Sequence, residues 1–132
     1  MKFTTTIIVL MLSIALFKVS AQSNTFPDEI IKATKSGDSR VLANYFNDKV
    51  EIIQPGNSGV YSKAQAEQVL KTFFINNPVV DFKILHQGER DNSSFAIGKY
   101  SSRGENFRIY FLSKETSGST LIHQIRIEKQ DE

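Results

Sequence analysis

The chain of 132 residues contains no cysteine. Disulfides, thiolate catalysis, iron–sulfur clusters and cysteine-ligated zinc are thereby excluded. A bacterial lipid anchor is excluded too, because it needs a cysteine just after the cleavage point. No run of like charges occurs, and there is no Gly-rich phosphate loop, nucleophile elbow or cluster of metal ligands. Nor is any apolar run long enough to cross a bilayer. The stretch from Ile7 to Phe17 has 11 residues, against roughly 20 for a spanning helix.

That short stretch has another use. A basic start at Met1-Lys2, the apolar run, and the small-residue exit Val19-Ser20-Ala21 are the three parts of a secretory signal peptide. Val19 and Ala21 take the −3 and −1 positions of a cut between Ala21 and Gln22. The expectation is a signal peptide over 1–21 and a single domain over 22–132. The domain is expected in the periplasm or outside the cell, with no membrane anchor after cleavage. Lys2 and Lys18 leave with the peptide, so the basic residues fall from 16 to 14 and match the 14 acids. Nucleic-acid binding draws on a basic surplus to neutralise phosphates, so nucleic acid is not an expected partner. Without disulfides the domain must be held by its core, and 111 residues suffice for one.

The spacing predicts a helix from Phe26 to Ser36, with Phe26, Ile30, Ala33 and Thr34 on one face. Pro27, Asp28 and Glu29 suit its first turn. Ser36-Gly37-Asp38 stops it and starts a second, short helix whose stripe is Val41, Leu42, Tyr45 and Phe46, ended by Asn47-Asp48. Val50–Gln54 reads as a strand, 55–59 as a turn, and Val60-Tyr61 as a short returning strand. Ser62 and Gln65 form a capping box for a third helix carrying Ala66, Val69, Leu70, Phe73 and Phe74. Asn76-Asn77-Pro78 closes it. The period then changes to two, giving strands at Asp81–Gln87, Ser94–Ser102, Asn106–Lys114 and Thr120–Glu128, joined by hairpin-length links. Three helices followed by a meander make an α+β domain, with the helices packed on a curved antiparallel sheet.

Several segments carry a family likeness: Ser36-Gly37-Asp38, Tyr45-Phe46-Asn47-Asp48, Tyr61–Glu67, Phe73-Phe74, Phe82–Gly88, Ala96-Ile97-Gly98 and Ile125–Glu128. Together they span almost the whole expected mature chain. The chain resembles the nuclear transport factor two-like superfamily, a cone of curved sheet around a long helix, ketosteroid isomerase-like enzymes included. More closely, it resembles a family of small exported bacterial proteins of unknown function with that fold. The resemblance implies a pocket at the open end of the cone and, often, pairing with a second copy through the outer sheet face. The isomerase pattern implies a donor tyrosine on the first helix, where this chain has Ile30, Ile31, Ala33 and Thr34. That activity is not carried over.

His86 and His123 are the sharpest chemical candidates. His86 shares parity with Phe82 and Ile84, and His123 with Leu121, Ile125 and Ile127, which places both on apolar strand faces. If those faces line the cone, two imidazoles converge as acid and base near neutral pH. The alternative is that each is a core histidine with satisfied hydrogen bonds. Tyr45 and Tyr61 join them as candidate ligand-binding residues, with ring packing as the plainer alternative. Two histidines make too few ligands for a metal, and no cofactor is expected. Arg108 and Tyr110 fall on the opposite sheet face, grouped there with Leu85, Tyr100, Leu112 and Ile122. The expected function is non-catalytic binding of a small apolar ligand or a protein partner. A lyase or isomerase using a pocket histidine, or a homodimerisation module built on the sheet face, are the alternatives.

Overall fold

The computed structural model describes residues 26–131. The expected signal peptide over 1–21 and the expected cut between Ala21 and Gln22 lie outside them. Two helices come first, α1 (Asp28–Ser36) and α2 (Ser39–Ala43), then strands β1 (Phe46–Ile53) and β2 (Gly59–Ser62). Helix α3 (Lys63–Asn76) follows, then four long strands: β3 (Asp81–Arg90), β4 (Ser93–Ser102), β5 (Glu105–Thr116) and β6 (Ser119–Gln130). The strands form one six-stranded sheet in the order β2-β1-β6-β5-β4-β3. All neighbours are antiparallel except β1 and β6, which run parallel.

The local signals explain where the helices start and stop. Gly37 adopts a left-handed φ of 64° to end α1, and its N–H reaches the carbonyls of Ala33 and Thr34. Asp38 then accepts from Val41 N at 3.0 Å to open α2. Ser62 and Gln65 make the reciprocal capping box of α3. Helix α2 is shorter than its apolar spacing suggests. After Ala43 the chain turns, the Tyr45 carbonyl accepts from Ile122 N, and Phe46 pairs with Ile122 as the first residue of β1. Pairing with β6 captures residues whose spacing reads as helix.

The helices cover one face of the sheet. Ile30, Ala33 and Leu42 from α1 and α2, and Ala66, Leu70, Phe73 and Phe74 from α3, meet the buried inward residues of β1 and β3–β6, with the half-buried Tyr61 of β2 packed at the margin. At the centre Phe73 packs against Tyr100 and Phe107, with ring centroids 5.3 and 5.2 Å away. The Tyr100 hydroxyl donates to the Asn77 carbonyl just past α3. Burial raises its phenol pKa well above the usual value. Tyr100 and Ile122 are fully buried, so both belong to the inner face rather than to the outer group in which their parity placed them.

Candidate functional site

The core enclosed between the helices and the sheet leaves almost no space. The void bounded by Thr34, Leu70, Phe73, Phe111 and Ile125 holds about 10 Å³, at the lower limit for a single water. Ligand chambers run to roughly 300–1,000 Å³. The pocket implied inside the cone is filled by phenylalanine rings from α3 and β5.

Two β-bulges relocate the histidines. In β3 the pairing with β4 slips between Ile84 and His86, so Leu85 is the extra residue. Phe82 is buried inward, whereas His86 pairs with outward Ile97, is exposed, and lies against the Phe95 ring at 5.4 Å. Beyond the slip Gln87 takes the inward place and accepts from Phe26 N. In β6 the slip falls between the pairs Leu112–Gln124 and Ser113–Ile122, leaving His123 as the extra residue. Ile122 and Ile125 both point inward across it. His86 and His123 therefore stand on strands separated by two others, roughly 14 Å apart across the sheet. Neither lines the interior void.

His123 is half-buried, and its Nε2 is covered and has no hydrogen-bond partner among the described residues. Its pKa is lowered, first by burial and then by the Lys114 charge. Tyr45 is half-buried against the core beside the start of β1. Tyr61 sits on β2, with its hydroxyl donating to Asn57 Oδ1 at 3.2 Å. The structure thus does not bring His86, His123, Tyr45 and Tyr61 into one site.

What it does assemble is an apolar patch on the opposite, convex face. Phe95 pairs with Leu112, and Ile97 with Tyr110. These four side chains are half-buried and alternate with the inward residues Ala96, Tyr100, Ile109 and Phe111. His86 extends the Ile97 row on β3, and Arg126 extends it on β6, with its guanidinium 4.6 Å from the Tyr110 ring centre. Gly88 lies opposite Phe95, whose ring passes 2.8 Å from where a Cβ would stand. Arg108 borders the patch, as does Glu128, which sits 3.7 Å from Arg126. Arg108, Tyr110 and Leu112 were legible as one face from their alternation. Phe95 and Ile97 alternate in the same way on β4, whose pairing with β5 has no slip, but grouping Tyr100 with the outer residues set them on the inner face.

With this geometry in place, likeness to other proteins is informative. A family profile described as a domain of unknown function, DUF4783, matches residues 27–128. The chain belongs to the DUF4783 family. A DUF4783 protein of Bacteroides ovatus is 40% identical, with a TM-score of 0.78 over 81% of this chain and 97% of that one. One from Bacteroides uniformis is also 40% identical, at 0.77 over 80% and 98%. A protein of unknown function from Silicibacter pomeroyi, described as NTF-2 like, is 13% identical with a TM-score of 0.57, over 78% of this chain and 88% of that one. At that identity the likeness shows the fold alone. This DUF4783 domain therefore has the nuclear transport factor two-like fold. No curated protein matches the chain.

Proposed function

We propose that this DUF4783 domain is an exported, non-catalytic interaction module that pairs with a second copy of itself through the convex face of β3–β6. The observation that carries the reading is the patch formed by Phe95, Leu112, Ile97 and Tyr110, half-buried on the outer face while the core under the helices is filled. Aromatic and aliphatic residues at the centre, with arginines and a glutamate at the border, have the anatomy of an interface. Four strands of 10 to 12 residues present roughly 700 Å². A standard interface buries about 800 Å² per partner. The 22–132 domain carries equal numbers of acids and bases, so two copies meet without net repulsion.

Sedimentation velocity of the 22–132 chain tests the pairing. At tens of micromolar the wild type should sediment as a dimer and Leu112→Glu as a folded monomer. A wild-type monomer at about 100 μM (a free energy near −5.5 kcal/mol) would overturn it. Export rests on residues 1–21 and is tested by N-terminal mass spectrometry of fractionated cells. A mature N-terminus at Gln22 outside the cytoplasm is expected; an uncleaved cytoplasmic chain contradicts it.

A further inference from the structure

The convex face also carries an arrangement that works against folding. Lys83, Lys99 and Arg108 are paired side by side across β3, β4 and β5. Their neighbours Phe82, Tyr100, Phe107 and Ile109 are buried inward, so the three cations leave the same outer face. Residues opposite each other on adjacent strands hold their Cβ atoms about 5 Å apart, and like charges there are destabilising. Glu128 is the next residue in the row, opposite Arg108. Its carboxylate is turned elsewhere, to Arg126 Nε at 3.7 Å and the Tyr110 hydroxyl at 3.5 Å. Among the described residues no carboxylate forms an ion pair with Lys83, Lys99 or Arg108.

Two of these cations share a concavity. Lys99 and Arg108 line a recess of about 230 Å³, together with the apolar Leu85, the Asn106 and Gln130 amides, and Phe107, whose ring is turned into the core. Among the described residues, Asp131 is the acid of the lining. Leu85, the extra residue of the β3 bulge, is 50% exposed. The slip that turns His86 outward also brings an aliphatic side chain beside two cations.

We propose that this recess binds a small organic anion, with a carboxylate or phosphate-monoester head between Lys99 and Arg108 and a short apolar tail against Leu85. A guanidinium fork fits two oxygens of such a head, while a lysine supplies a point charge. The head provides the counter-charge that the row lacks, so binding relieves the repulsion and stabilises the fold by linkage. The volume is below that of drug-sized sites, which limits the ligand to a few carbons beyond its head. The recess adjoins the apolar patch, but the site needs no second copy.

An amide chemical-shift titration of the 22–132 chain at low ionic strength tests the site. The probes are hexanoate, hexyl phosphate and, as a neutral control, hexanol. Either anion should produce saturable shifts around Leu85, Lys99 and Arg108 with millimolar affinity that weakens as salt is added, and the tighter of the two identifies the head. Lys99→Gln and Arg108→Gln should each weaken binding at least fivefold. Each should also raise the Tm of the ligand-free protein by about 2–4 °C, because a like-charge contact is removed. Equal shifts with hexanol, no saturable shift with either anion, or unchanged affinity in both variants would overturn the site. A lower Tm in both variants would overturn the argument from repulsion. The dimer is read by sedimentation, so the two proposals fail separately.

Discussion

At the scale of single residues, the covered imidazole of His123 and the missing side chain of Gly98 have measurable consequences. The pKa of His123 lies below the usual imidazole value of about 6.5, first through burial and then through Lys114. The unfolded chain therefore takes up a proton near pH 6.5 that the folded chain resists. Stability is held above that pH and lost as the pH falls from 6.5 towards the lowered folded value. Urea midpoints measured at pH 7.5 and 5.5 should show a smaller acid loss for His123→Gln than for the wild type. Gly98 is held by contact rather than by backbone angle. A Cβ there would stand 2.4 Å from two atoms of the Phe82 ring, which is itself fully buried. Gly98→Ala should cost about 1–3 kcal/mol, read as a lower denaturation midpoint. Little or no loss would show that the ring has room to shift.

At the scale of elements, much of the architecture was legible. The capping box at Ser62 and Gln65 set the start of α3, and alternation located all four long strands. Ser62→Ala should lower stability by about 1 kcal/mol, a fall in Tm of about 4 °C. What escaped is non-local. Tyr45 and Phe46 fit the stripe of α2 by spacing, yet contact with β6, some 76 residues later, makes Phe46 a strand residue. The bulges at Leu85 and His123 escaped for a related reason. A bulge adds one residue against one partner strand, so nothing in its own strand need mark it. Parity beyond that point is reversed. His86 was therefore assigned to the wrong face, His123 became the unpaired residue of its bulge, and the candidate site built on the two dispersed.

At the scale of the whole molecule, the sheet has two unlike faces. Phenylalanines from α3 and β5 fill the concave one, where this fold was expected to leave a chamber, and the helices complete its cover. The convex one leaves Phe95, Ile97, Tyr110 and Leu112 half-buried, with a cation row beside them. A domain with a filled core and an apolar outer sheet is suited to recognition by surface. The lack of cysteine makes that claim directly measurable, since a single introduced thiol has no native thiol to pair with. Ile97→Cys and Leu112→Cys place it on the convex patch, and Ile75→Cys places it on α3, where the side chain is 66% exposed. Under mild oxidation at micromolar concentration, at least one convex-face variant should form a covalent dimer much faster than Ile75→Cys. Equal or faster cross-linking through Ile75→Cys, or none from either convex-face variant, would contradict the account.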